Sequence, residues 1–126
     1  MKSYNPADMP APNGYSYGVE VPPNARVLFC AGQIGADAEG KIPADARTQS
    51  ELARKNVGKV LAAAGMGFEN LVRVNNYVVG AENLAAYREV RGQFLGKNAP
   101  ASTLLVVAGL AQPNILVEVE VVAAKE

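Results

Sequence analysis

The chain has 126 residues, about the size of one domain, with 49% hydrophobic and 19% charged, enough apolar material for a core and too little charge for a disordered chain. Twelve basic and twelve acidic residues cancel, which leaves no electrostatic footprint for phosphate backbones or anionic membranes. With no histidine, His-activated serine or cysteine nucleophiles, HExxH zinc sites and imidazole proton shuttles are excluded, so any catalysis falls to carboxylates, hydroxyls, amides, backbone dipoles, lysine or arginine.

Residues 1–14 hold three of the eight prolines and predict an irregular arm, without the apolar run of a secretion signal. Tyr15 to Val21 alternates in strand fashion, and Pro22-Pro23-Asn24 turns the chain. Arg26 to Ala31 is an apolar strand ending at Gly32, expected to pair with Tyr15–Val21 as a hairpin. Gly35 to Asp45 reads as loop. Asp45 then caps a helix in which Ala46, Ala53, Val57, Val60, Leu61 and Ala64 recur at helical spacing, with Gly65 as its stop. Leu71 to Val79 returns to strand. A second helix from near Asn83 places Leu84, Tyr87, Arg91, Phe94 and Leu95 on one side and ends at Gly96. Thr103 to Val107 and Ile115 to Ala124 are the last two strands.

The order β-β-α-β-α-β-β predicts a single α+β domain over residues 1–126, with a mixed sheet carrying both helices on one face. Thr103–Val107 and the Leu116/Val122 side of the last strand leave the other face apolar, so copies of the same chain are expected to cover it. The one cysteine, Cys30, lies in an apolar strand and reads as a buried thiol of a reduced, cytoplasmic protein. No apolar stretch approaches the ~18 residues of a membrane span.

Candidate chemistry is sparse. A period of two places Glu118 and Glu120 on one strand face, roughly 6–7 Å apart between Leu116 and Val122. Such a pair works as acid and base when desolvated, or is simply two solvated charges on an exposed strand. Gly32 at a strand end lets a backbone N–H approach a ligand closely, although a plain turn glycine looks the same in sequence. Arg73 and Arg88 could bind a carboxylate; an arginine on a helix flank is otherwise a solvated head over a buried stem. Gly65-Met66-Gly67 lacks the third glycine of a dinucleotide fingerprint and reads as a helix end.

Taken in order, G-Y-S-Y-G at residues 14–18, F-C-A-G-Q-I-G at 29–35, E-G-K-I-P at 39–43, L-V-R-V-N-N-Y-V at 71–78, Y-R-E-V-R at 87–91, A-P-A-S-T at 99–103 and L-V-E-V-E-V-V-A-A at 116–124 span nearly the whole chain. In this combination the sequence resembles the Rid (reactive intermediate deaminase, YjgF-like) family, also called L-PSP endoribonucleases. The resemblance implies a chorismate-mutase-like fold assembled as a homotrimer with a barrel-like centre and small-molecule clefts between subunits. It further implies hydrolysis of reactive enamines and imines to ketoacids and ammonia, with no metal and no organic cofactor. Tyr15, Gly32 and Glu118 fall on the family's cleft tyrosine, backbone donor and water-activating glutamate.

Other positions depart from the family. Ser102 stands where an arginine binds the substrate carboxylate, Leu104 where a cysteine often follows, Ala31 where serine or threonine precedes Gly-Gln, and Arg88 where asparagine is common. A hydroxyl does not replace a bidentate guanidinium, so the substrate class is left open. The resulting expectation is a hydrolase or deaminase of small enamine, imine or related C=N or amide intermediates. Glu118 would be the base acting through water, Tyr15 and the Gly32 N–H would hold the ligand, Ser102 and Thr103 would line the former arginine position, and Arg88 would supply a displaced cation. The alternatives are a non-catalytic metabolite-binding or regulatory trimer and, on the family label alone, RNA cleavage, against which the zero net charge and missing histidine stand.

Overall fold

The computed structural model describes residues 1–126. Its strands are β1 (Lys2–Tyr4), β2 (Gly18–Glu20), β3 (Arg26–Ile34), β4 (Leu71–Val79), β5 (Ala101–Val107) and β6 (Val117–Lys125), and its helices α1 (Ala46–Ala63) and α2 (Leu84–Leu95). The architecture is α+β. A four-stranded mixed sheet has the order β3-β6-β4-β5, with β4 and β5 parallel and the other pairs antiparallel. A parallel pair needs a crossover, and α2 supplies it.

Helix α1 starts where the sequence places it: the Asp45 side chain accepts from the Thr48 N–H at 2.9 Å. The Thr48 hydroxyl donates to the same carboxylate at 2.8 Å, and these backbone and hydroxyl hydrogen bonds hold the Asp45 carboxyl below its usual range. The helix stops at Gly65, whose φ of 71° is the left-handed conformation glycine adopts without cost. Ala53, Val57 and Leu61 of α1 and Tyr87 and Leu95 of α2 pack against Cys30, Val74, Val78, Val117, Val119 and Val121 from one face of the sheet. Burial of a Val or Leu side chain stabilises by about 1.5–3 kcal/mol, so this layer supplies most of the hydrophobic driving force.

Two features fix the helix layer to the strand that matters. The fully buried Gln49 donates to Pro43 O (2.7 Å) and Asn114 O (2.9 Å), and its Oε1 accepts from the Leu116 N–H (2.8 Å), pinning the chain two residues before Glu118. Gly35 lets β3 run close beneath the same helix turn, since a Cβ there would collide with Gln49 backbone.

The structure corrects the opening of the chain. The expected hairpin between Tyr15–Val21 and Arg26–Ala31 does not form. Instead β2 pairs with β1, inside the arm expected to be irregular, and β3 pairs with β6. Successive prolines, with fixed φ and no N–H, do not build the two-residue primed turn that favours a tight hairpin. The arm is held by Asn5, which accepts from the Tyr17 N–H, and by the Tyr4 hydroxyl on Glu20.

Candidate functional site

The face of the sheet away from the helices carries Glu118, Gly32 and Thr103 of the predicted site. Along β6, Val117, Val119 and Val121 are buried under the helices, so Glu118, Glu120 and Val122 project to the open side, half-buried. Cross-strand register arranges this side in three rows. Leu105, Tyr77, Glu118 and Ile34 form the first; Thr103, Asn75 and Glu120 the second; Ala101, Arg73, Val122 and Phe29 the third.

Polar groups concentrate in the second row. Asn75 Nδ2 donates to Glu120 Oε1 at 2.8 Å, the Tyr77 hydroxyl donates to the same oxygen at 3.3 Å, and Arg73 Nη2 donates to Thr103 Oγ1 at 2.8 Å. Partial burial raises the Tyr77 hydroxyl above its usual value, the charges of Glu120 and Glu118 add to this, and Arg73 opposes it. Glu120 is therefore neither free nor merely solvated.

Glu118 differs. It has no hydrogen-bond partner in the chain, and since no fully buried side-chain oxygen is left unpaired, its carboxylate reaches solvent. It lies against Gly32. The β3–β6 register slips between Cys30 and Gln33, so Ala31 and Gly32 form a bulge, and a Cβ on Gly32 would collide with Glu118 Oε2. Sequence reading paired these two residues only through family resemblance. The structure puts them in contact.

Of the remaining predicted residues, Thr103 shares the open face and the others do not. Thr103 is on the open side in the second row, where its hydroxyl holds Arg73. Ser102, its neighbour, faces the helices: its Oγ accepts from Asn76 Nδ2 at 3.0 Å. Asn76 also donates to Thr103 O (2.8 Å) and accepts from the Tyr87 hydroxyl, and with exposures of 1% and 3% Asn76 and Tyr87 make a closed internal network. Tyr15 sits at the outer edge of β5, where Ser16 bridges Ala101 and donates through its N–H to Pro100 O (3.1 Å), so β5 and β4 lie between Tyr15 and Glu118. Arg88 is exposed on α2, in the layer on the far side of the sheet from Glu118. Cys30 is buried, and burial pushes its thiol up, away from thiolate reactivity.

Asn75, Asn76, Tyr77 and Tyr87 were not singled out as polar groups in the sequence, although the N-N-Y run inside an apolar strand is a signal for them. The cavities within the chain, the largest about 360 Å³ beside Lys97–Pro100 and Ser3, do not include Glu118. No group of three or more His, Cys, Asp or Glu side chains is arranged to hold a metal ion, and no helix is long and apolar enough to cross a membrane.

A family model described as Endoribonuclease L-PSP matches residues 6–125. The chain belongs to this Rid/L-PSP family. Among Rid-family structures it is similar to YyfB of Yersinia pestis, of unknown function, with a TM-score of 0.86, 31% identity and 98% of both chains covered. It is also similar to Escherichia coli TdcF, solved with bound serine, with a TM-score of 0.76, 27% identity and 92% and 91% coverage. TdcF is named, provisionally, as a reactive intermediate deaminase. A RutC family protein of Pyrococcus horikoshii is 31% identical over 120 residues, covering 93% of this chain and 92% of its own.

Proposed function

We propose that this Rid-family chain hydrolyses small reactive enamine, imine or related C=N or amide intermediates and releases ammonia. The observation that carries the reading is the unpartnered Glu118 carboxylate seated on the Gly32 bulge. In this scheme Glu118 takes a proton from water as the water oxygen adds to the C=N carbon. Glu118 returns that proton to the nitrogen, giving a carbinolamine, and then carries the proton of the new hydroxyl to the same nitrogen, so that the C–N bond breaks, ammonia leaves and the carbonyl forms. Gly32 N–H and Tyr77 border the reacting centre.

The site is read as incomplete in one chain. Tyr15 and Thr103 lie at β5, Ser102 facing the helices between them, and Glu118 and Gly32 lie at the β3–β6 bulge, so a cleft between copies is what would bring Tyr15 and Thr103 to Glu118, and Arg88 could reach Glu118 only from another copy. Apolar side chains on the open face, Phe29 at 79% exposure and Leu105 at 47%, support a homotrimer closed over that face. Feeding the protein imines from an amino-acid oxidase and following ammonia tests the activity; wild type and Glu118→Gln releasing ammonia equally fast would remove the proposed base.

The non-catalytic alternative is favoured by one observation, the engagement of Ser102 by Asn76, which leaves the arginine position without a ligand-binding group. It predicts stabilisation by small metabolites without ammonia release.

A further inference from the structure

We infer that Asn13 is a self-modifying site, converted to aspartate and isoaspartate by attack of the Gly14 backbone nitrogen on its side chain. That reaction needs a free side-chain amide, a free N–H on the next residue and no Cβ in the way, and Asn13 alone meets all three. The chain on either side is anchored: the Tyr17 hydroxyl donates to Pro10 O (2.8 Å), the Tyr17 N–H to Asn5 Oδ1 (2.8 Å), and Ser16 donates through its N–H to Pro100 O (3.1 Å) and through Oγ to Ala99 O (2.6 Å). Asn13 and Gly14 form the exposed apex between these anchors, and neither the Asn13 side chain nor the Gly14 N–H has a hydrogen-bond partner in the chain. Gly14 takes a φ of 78°, and beyond its chain neighbours no atom lies within 4 Å of where a Cβ would stand.

Every other asparagine is barred. Asn5 precedes Pro6, which has no N–H. The side chains of Asn56, Asn70, Asn75, Asn76, Asn83 and Asn98 are hydrogen-bonded. Asn24 and Asn114 are exposed with free side chains, but the Ala25 N–H is given to Pro22 O and the Ile115 N–H to Gln112 O, and both following residues carry a Cβ.

The Gly14 nitrogen loses its proton to hydroxide and bonds to Asn13 Cγ; the Cγ–Nδ2 bond breaks and Nδ2 leaves as ammonia, taking a proton from water. Water then opens the cyclic succinimide. Breaking the bond from Cγ to the Gly14 nitrogen gives aspartate, and breaking the bond from the Asn13 backbone carbonyl carbon to that nitrogen gives isoaspartate, with a main chain longer by one methylene. Either product adds a negative charge, two residues before Tyr15, to a chain whose charges otherwise balance. The step consumes only water, so it proceeds in the assembled protein wherever the apex stays free.

Incubating the full chain at mildly alkaline pH in heavy-oxygen water, then cutting with trypsin in ordinary water and fragmenting the peptide Ser3–Arg26, reads Asn13 and Asn24 on one molecule. The expected result is heavy oxygen entering at Asn13, as both acid isomers, about tenfold or more faster than at Asn24. The intact protein should move to the acidic side in isoelectric focusing. Asn13→Gln, whose longer side chain closes the corresponding ring far more slowly, should keep its charge form over the same time. A free loop apex predicts a rate at Asn13 in the assembled protein within about tenfold of that in the same peptide free in solution. Incorporation at Asn13 no faster than at Asn24 overturns the inference, as does an acidic shift that persists in Asn13→Gln. Stronger protection of Asn13 in the assembled protein than that limit overturns it as well, since a neighbouring copy or a locked backbone would then close the apex.

Discussion

Two glycines, one within β3 and one just past its end, have opposite relations to the site. At Gly32 the atom in the way of a new Cβ is the end of a mobile carboxylate, so Gly32→Ala should fold nearly as well as wild type and lose ammonia release as Glu118 is displaced. At Gly35 the obstacle is the backbone of Gln49, and Gly35→Ala should cost about 1–3 kcal/mol by forcing helix and sheet apart, read as a lowered denaturant midpoint. Glu118→Gln should lower turnover by about 10²–10⁴-fold with the melting temperature nearly unchanged, the amide keeping the shape and losing the base. Glu120→Gln should leave turnover close to wild type, because a carbonyl oxygen can still accept from Asn75 and Tyr77. The Glu118/Glu120 face was legible from the period of two. That one carboxylate is bonded and the other bare was not, because it depends on partners 40 or so residues away in β4.

At the scale of elements, the buried Tyr87–Asn76–Ser102 network joins α2 to β4 and β5. Tyr87→Phe leaves the Asn76 carbonyl unsatisfied and should cost about 1–3 kcal/mol in equilibrium unfolding. Burial raises the Tyr87 hydroxyl above its ordinary value near 10, so the folded state holds this proton more tightly than the unfolded chain. That stability is fully present below about pH 10 and is lost as pH rises through the folded value; Tyr87→Phe should flatten the alkaline limb of a stability–pH profile. The helices were readable from Asp45, Gly65 and their apolar spacing, and β4 from its β-branched run. The opening strands were not: three-residue strands carry too little periodicity to announce a partner, and β2 chose β1, fourteen or more residues back, over the adjacent β3.

On the scale of the whole molecule, the proposed trimer depends on the open face. Covering it recovers about 25 cal/mol per Å² of apolar surface, and Phe29 stands clear of its own chain's core. Phe29→Asp should therefore leave the protomer folded by circular dichroism while shifting sedimentation from trimer to monomer. A trimer unaffected by that charge would place the subunit contact elsewhere. The proposed trimer and its inter-subunit site rest on an apolar face that sequence and structure both leave uncovered.

The sheet order has a consequence for biosynthesis. Strand β6 lies between β3 and β4, which do not pair with each other, yet it is synthesised after both. Until Val117–Lys125 has left the ribosome, β3 has no sheet partner and the valines that face α1 are missing from the core. A nascent chain arrested at residue 110 should be open to protease throughout β3 and α1. Release of the last strand should convert it to a resistant form in one cooperative step.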